Sequence, residues 1–306
     1  MKFGRTARWS LLILAASIPV WAAQQAPRVW TIQELFTRNV GTTEQQNKQF
    51  PPHRIIGNLY YVGTESLASF LVTTPEGHIL INSDYERNVP TIRDSVGRLG
   101  FRFEDIKILL GSHAHGDHME GDGAVVEITK ARALAMAEDI PALQSMRSPA
   151  GKPRPMYEAL HDGSEVKLGN MTLTALHTPG HTAGCTSWAM KIQDGGRSYD
   201  VLIIGSVGVN AGTNLVNGLA EQYQKSFKVL HAQHVDVPLG SHPGMYNMLD
   251  KYTRATSGAA PNPYIDPQGY QTELTIQETA FNNEWKRQQT EGPPAPRGGR
   301  VSLRLA

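Results

Sequence analysis

Residues 112–118 read Ser112-His113-Ala114-His115-Gly116-Asp117-His118, and this stretch decides how the rest of the chain is read. Two histidines separated by one residue on an extended segment point their rings to the same side. His113 and His115 can therefore share one metal ion. Gly116 lets the backbone bend sharply, and Asp117 and His118 fall on the turn beyond it, where they can face a second ion. Imidazole nitrogen and carboxylate oxygen are donors that zinc takes. The chain has 11 histidines in 306 residues, so a fixed pattern of three His and one Asp arises by chance in fewer than roughly one chain in a thousand.

The residues just upstream place this run in a fold. Ile106–Leu110 is a short, continuous apolar stretch that reads as a buried strand. It ends at Gly111-Ser112, so the histidines sit on the loop at the carboxyl end of a strand, where α/β proteins commonly build sites. Further upstream, residues 59–62, 69–73 and 78–81 read as three successive strands, the last two joined by a turn at Pro75-Glu76-Gly77. Such a meander starts an antiparallel or mixed sheet. A helix follows, opened by Asn88 with Pro90 in its first turn and closed before Gly100. Ile92, Val96 and Leu99 give it one apolar stripe.

Downstream, Arg132–Met136 and residues 171–175, 187–192, 201–204 and 235–239 read as strands. Residues 139–146 and 219–230 read as helices, and Asp266-Pro267 opens a long helix reaching about Trp285. Strands and helices mix throughout, which predicts one α/β domain with two layers of sheet between helices.

Two later histidines also follow strands. His181 lies in Thr178-Pro179-Gly180-His181-Thr182, and His242 in Ser241-His242-Pro243-Gly244. With the first cluster they complete three donors for each of two ions. His53, His78, His161, His231 and His234 lack that context and read as surface or packing residues, while His177 reads as a lining residue.

Bulk composition narrows the classes further. Hydrophobic residues make up 40% and charged residues 19% of the chain, with a formal net charge of +1. Nothing in that balance points to nucleic acid or to an acidic tail. Cys185 is the single cysteine, so no internal disulfide forms, and it reads as a small buried apolar residue. Lys2, Arg5 and Arg8 precede an apolar run over residues 9–21, and Val20-Trp21-Ala22 offers a cleavage site. This predicts a secretory signal over residues 1–22, too short and too broken by Pro19 to span a bilayer comfortably. The protein is then secreted, with a periplasmic location expected, and keeps no stable membrane span after signal removal. A single domain over 23–290 and a flexible tail over 291–306, rich in Pro, Gly and Arg, complete the expected layout.

The His-x-His-x-Asp-His run, the Thr-Pro-Gly-His loop and the late Gly-Ser-His-Pro-Gly segment resemble the metallo-β-lactamase superfamily. More narrowly, Gly57-Asn58-Leu59-Tyr60-Tyr61-Val62-Gly63, residues 70–81, residues 179–188 and Asn262-Pro263-Tyr264-Ile265-Asp266 are similar to subclass three of the class B β-lactamases. The likeness runs from about residue 58 to about residue 281. It implies an αββα sandwich, two mixed sheets between outer helices, with two zinc ions at one edge. It assigns His113, His115 and His181 to one ion, and Asp117, His118 and His242 to the other. It further implies hydrolysis of the β-lactam amide of penicillins, cephalosporins and carbapenems by a hydroxide held at the metals. Asp117 orients that hydroxide, and Ser206 contacts the substrate carboxylate or simply ends a buried strand as a small residue.

Position 206 separates the relatives. Glyoxalase II-like thioesterases and many lactonases carry a bridging Asp there, and other β-lactamase subclasses a Cys. Here Ser206 follows Ile203-Ile204-Gly205. Two residues depart from the family pattern. Gly208 stands where a second Ser is frequent, and Asn82-Ser83-Asp84 replaces the usual Asp-Gly, leaving Asn82 without the charge that orients ligands. Two other readings remain: a lactonase or glyoxalase II-like thioesterase of the same fold, and a periplasmic zinc-binding protein with little catalysis.

Overall fold

The computed structural model describes Met1 and residues 28–294; the rest of the expected signal segment and the expected tail beyond 294 lie outside the described residues. Two sheets face each other. The first is seven-stranded and runs in chain order: β1 (His53–Ile56), β2 (Leu59–Tyr61), β3 (Phe70–Thr74), β4 (Gly77–Ile81), β5 (Ile106–Leu110), β6 (Arg132–Met136) and β7 (Tyr157–Leu160). Its first four strands pair antiparallel, and β4 through β7 pair parallel. The second sheet is five-stranded, from β8 (Glu165–Leu168) through β9 (Met171–His177), β10 (Thr186–Asp194) and β11 (Arg197–Ile204) to β12 (Val237–Gly240). It is antiparallel except that β12 runs parallel to β11. Both sheets are mixed, as expected.

The helices are α1 (Ile32–Val40), α2 (Thr43–Asn47), α3 (Val89–Arg98), α4 (Gly116–Met119), α5 (Asp122–Thr129), α6 (Ile140–Ser145), α7 (Leu219–His231), α8 (Met248–Thr256) and α9 (Pro267–Glu291). Alternation along the strands explains the layering. In β3 and β4, Phe70, Val72, Ile79 and Ile81 face the space between the sheets. Leu71 and Leu80 point the other way, against Val89, Ile92 and Val96 of α3 and Val125 of α5. A strand covered on both faces reads as an unbroken apolar run. On the far side, Tyr223 and Phe227 of α7 and Leu274 and Phe281 of α9 cover the second sheet. The order of layers is helix, sheet, sheet, helix.

Several elements escape the sequence reading. The boxes Thr31-x-x-Glu34 and Thr42-x-x-Gln45 cap α1 and α2 with reciprocal side-chain and backbone hydrogen bonds, a start signal visible in the sequence. β1, β7 and β8 are short strands with few buried side chains, so their periodicity is faint. The long terminal helix continues to Glu291, past Trp285 and into the first residue of the expected tail, because no proline or glycine stops it before Gly292. Asn88 precedes α3 but makes no side-chain cap; its amide donates to the Gln46 carbonyl at 3.0 Å instead. No helix among the described residues is long and apolar enough to cross a membrane.

Candidate metal centre

The carboxyl ends of β4, β5, β9, β11 and β12 meet at one edge of the sandwich. Backbone hydrogen bonds tie their loops across the two sheets. Thr186 N–H donates to the Ser112 carbonyl at 2.8 Å, and Ala68 N–H to the Ser241 carbonyl at 3.2 Å. His113 follows β5, His115 caps the short α4, and Asp117 and His118 lie within that turn. His181 follows β9, and His242 follows β12.

The six side chains gather at one point, where the closest donor groups are His113, His115 and His181, and His113, Asp117 and His118, with His242 beside Asp117; the two trios expected from the sequence put His242 in place of His113 in the second. The metal-donor atoms of His113, His115 and His181 lie within 4.8 Å of one another, and His181 Nε2 stands 3.1 Å from His115 Nδ1. In the other trio Asp117 Oδ2 lies 3.4 Å from His118 Nε2 and 3.6 Å from His242 Nε2. His113 lies between the trios, its ring centroid 4.2 Å from that of His118 and 4.5 Å from that of His181.

The outer nitrogens are oriented by carbonyls. His181 Nδ1–H donates to the Gly208 carbonyl at 2.7 Å, and His242 Nδ1–H donates to the Ser66 carbonyl at 3.0 Å. Both bonds leave Nε2 unprotonated and turned inward, the tautomer a metal requires. His113 and His118 are buried, yet neither ring nitrogen of either one has a hydrogen-bond partner among the described residues. Burial holds His113 well below the usual histidine range, His118 down at about 3 and His181 at about 4, and the neighbouring imidazoles add to the effect. These rings are neutral at pH 7. Burial opposes ionisation of Asp117, but the imidazoles around it, His118 first, outweigh burial and lower its carboxyl. Neutral imidazoles with unused lone pairs and an ionised carboxylate are the protonation states in which metals are bound.

Two departures from the family pattern find their explanation here. Asn82 spans the loops: its amide donates to the Ala68 carbonyl at 3.0 Å and its Oδ1 accepts from Ser112 N–H at 2.9 Å. It fixes the residue next to His113 without a charge. A carboxyl stands two residues on, at the buried Asp84, whose N–H donates to the His118 carbonyl at 3.2 Å. Burial, together with the nearby Asp117, pushes the Asp84 carboxyl well above the usual range, and Ser69 beside it only partly offsets this. Gly208 serves through its backbone. Its carbonyl accepts from His181 and also from the Tyr223 hydroxyl at 3.2 Å. The Ser206 hydroxyl oxygen accepts from Gly208 N–H at 3.3 Å, which leaves the hydroxyl hydrogen to be given elsewhere.

Asp139, read from the sequence only as a helix start, joins the two loops of the three-histidine trio. Its Oδ2 accepts from Ala114 N–H at 2.8 Å and from the Thr182 hydroxyl at 2.7 Å; its Oδ1 accepts from Gly184 N–H at 2.7 Å. Cys185 is buried with its thiol on the Ser206 carbonyl, and burial raises its pKa, as befits an unreactive packing residue.

The trios open into a cavity of about 440 Å³ lined by His115, Asp117, His181, Ser206 and His242. Ile32, Leu35 and Phe36 of α1 form an apolar wall, and Tyr85 stands at the same cavity. The α1 wall is held by a bidentate ion pair from Arg38 to Glu273 of α9, at 2.5 and 3.0 Å. Elsewhere, Asp200, His234 and Asp236 also cluster. There the carboxylates face Lys191 at 2.5 Å and Arg197 at 3.7 Å, so they are neutralised by side chains. His177 lies off the trios, with Nε2 on the Ala183 carbonyl at 2.8 Å.

Comparison with known proteins agrees with this architecture. The pattern of the metallo-beta-lactamase superfamily matches residues 62–242. The chain belongs to the metallo-β-lactamase superfamily. Among solved superfamily structures, the native metallo-β-lactamase FEZ-1 of Legionella gormanii is 45% identical, with a TM-score of 0.76 over 80% of this chain and 98% of that one. BJP-1 of Bradyrhizobium japonicum, a subclass B3 metallo-β-lactamase, is 33% identical, with a TM-score of 0.74 over 81% of this chain and 98% of its own. Other superfamily relatives match over less. A hydroxyacylglutathione hydrolase of Cereibacter sphaeroides is 33% identical over 32% of this chain and 34% of its own. An N-acyl homoserine lactonase of a Bacillus species is 28% identical over 40% of this chain and 47% of its own. The chain thus spans between a third and about half of the length of these curated relatives.

Proposed function

We propose that this superfamily member is a β-lactamase that holds two zinc ions. His113, His115 and His181 would hold one, and Asp117, His118 and His242 the other. The observation that carries the reading is the cavity itself. Two members of each donor trio line it, His115 and His181 from one and Asp117 and His242 from the other, and the end of β11 contributes Ser206 there, with neither a carboxylate nor a thiol. The similarity to FEZ-1 and BJP-1 over nearly their whole lengths supports it. The basic and apolar segment at the start of the chain supports export to the periplasm, where such a substrate is met.

Bound zinc supplies a Lewis acid and lowers the pKa of its water to about 7. The protein's own groups do the rest. Asp117, held between the His118 and His242 rings, accepts a hydrogen from the attacking water and fixes its direction. The Ser206 hydroxyl, its oxygen already engaged by Gly208 N–H, donates to the carboxylate of the substrate. The α1 wall keeps water from the far side of the cavity and takes apolar substituents.

The purified protein is expected to hydrolyse a chromogenic cephalosporin, to lose that activity to a chelator, and to regain it with zinc. Absence of turnover with two zinc ions bound defeats the proposal. The matches to a hydrolase of hydroxyacylglutathione and to a lactonase support a second reading, in which the same centre opens a thioester or lactone. A panel of penicillin, carbapenem, lactone and thioester substrates decides between the two by kcat/KM.

A further inference from the structure

We propose that Asp139 is the positioning residue that assembles the three-histidine site, by clamping together two loops that belong to different sheets. Each bond of the clamp falls beside a ligand. Ala114 is the residue between His113 and His115, Thr182 follows His181 directly, and Gly184 lies three residues past His181. The first loop leaves β5 of one sheet, and the second leaves β9 of the other. The separation of His115 Nδ1 and His181 Nε2, 3.1 Å, is therefore set by the contact between the loops rather than by either loop alone. Zinc asks for nitrogen at about 2.0–2.1 Å in tetrahedral array, so a small slip of one loop spoils the site.

The chemistry of the clamp requires a carboxylate. Asp139 is 3% exposed, and Ala114 N–H, Gly184 N–H and the Thr182 hydroxyl converge on its two oxygens. Carboxylate acceptors make stronger hydrogen bonds than neutral ones. An ionised carboxylate only accepts, so both oxygens can face backbone N–H groups. An amide in its place must turn its NH₂ toward either Gly184 N–H or Ala114 N–H, setting donor against donor. The approach is also as close as the chain permits. A Cβ on Gly184 would lie 2.6 Å from Asp139 N and 2.8 Å from its Cγ, distances that real side chains do not adopt.

The other trio does not use this clamp. His242 is oriented by the Ser66 carbonyl, and the His118 carbonyl accepts from Ser83 and Asp84. Loss of Asp139 should therefore weaken one ion selectively, which general destabilisation would not do.

The inference rests on the two-ion reading above. The test is a competition between the protein and a chromogenic zinc chelator, which resolves the two affinities. The spectrum of the cobalt-loaded protein reports the geometry of the three-histidine site. In Asp139→Asn the three-histidine site is expected to lose roughly 10–100-fold in zinc affinity, the range for outer partners of metal ligands, while the other site changes less than about twofold. Thr182→Val removes one donor of three and gives a smaller loss at the same site; Thr182→Ser restores wild-type affinity. Equal weakening of both sites in Asp139→Asn, or none, overturns the proposal. Should Asp139→Asn fail to fold, the threonine pair still decides: Val and Ser variants that both match the wild type overturn it. A wild-type protein that binds no zinc defeats the metal reading itself, whereas a two-zinc wild type with unchanged variants defeats only the clamp.

Discussion

His53 is half-buried and His118 fully buried, and the fold treats the two histidines in opposite ways. His53 lies among Phe50, Tyr61, Tyr252 and Tyr264, its ring centroid 5.5 Å from that of Tyr61 in a stacked contact. Both its nitrogens are used, Nδ1 with the Pro51 carbonyl at 2.8 Å and Nε2 with the Tyr264 hydroxyl at 2.6 Å. His118 is fully buried, and neither of its nitrogens makes a hydrogen bond to the described residues, nor do those of His113. Burial lowers the pKa of His53 to about 4 and of His118 to about 3, so each ring is neutral at pH 7. A neutral imidazole has one donor and one acceptor, and leaving such a group unpaired in the interior costs about 1–3 kcal/mol. The fold meets both needs of His53 from its own atoms and leaves those of His113 and His118 open. The difference identifies a site made for a ligand that accepts a lone pair.

The largest expected effect breaks the comparison if it fails. His118→Ala is expected to lose one zinc by elemental analysis, and more activity than the roughly 100-fold seen when outer partners of ligands are removed. His53→Gln is expected to keep both ions. A His118 variant that retains two zinc ions, or a His53 variant that loses one, would end the distinction drawn above.

An intermediate effect comes from pH. The folded pKa of His53, about 4, lies below the ordinary histidine value of 6.5. As pH falls, the unfolded chain therefore takes up this proton first. The contribution of His53 to stability is complete above pH 6.5, declines between 6.5 and 4, and is flat below. One pKa unit is worth 1.36 kcal/mol, so the loss reaches about 2 kcal/mol by pH 5. Urea unfolding of the metal-free protein at pH 7 and pH 5 should show a smaller decline in His53→Gln than in the wild type. Equal declines would remove His53 as the cause.

The smallest effect sharpens the picture of the site. A Cβ on Gly208 meets only the Ser206 hydroxyl, at 3.7 Å, and the carbonyl that orients His181 stays in place. Gly208→Ser is expected to keep its zinc and to shift KM for β-lactams by no more than a few-fold, with kcat unchanged. A loss of metal in this variant would show that the backbone there has moved.

The layer order was legible because the strands that fill it are apolar on both faces, as Ile79-Leu80-Ile81 shows. The trios were legible because four of the six donors lie in the single run at residues 113–118 and the other two on two short loops, each just after an apolar strand. Asp139 was not. Its partners are backbone N–H groups, which every residue owns, and their convergence depends on how two sheets meet. The α1 wall was hidden for a related reason. Its capping box was in view, but its docking depends on Arg38 reaching Glu273, 235 residues away. Asn82 and Gly208 looked like losses in the sequence, because a side-chain pattern does not show work done by an amide or a carbonyl.

Each trio draws its members from both sheets: His113 and His115 from the first with His181 from the second, and Asp117 and His118 from the first with His242 from the second. An ion seated in either trio is thus a cross-link closing a long loop of chain. The chain has a single cysteine and so no disulfide to play that part. Cross-links of this kind lower the entropy of the open chain, and more so the longer the loop they close. Survival against proteases would then depend on the zinc supply around the protein, since the same ions that would serve turnover would also hold the two halves of the sandwich together.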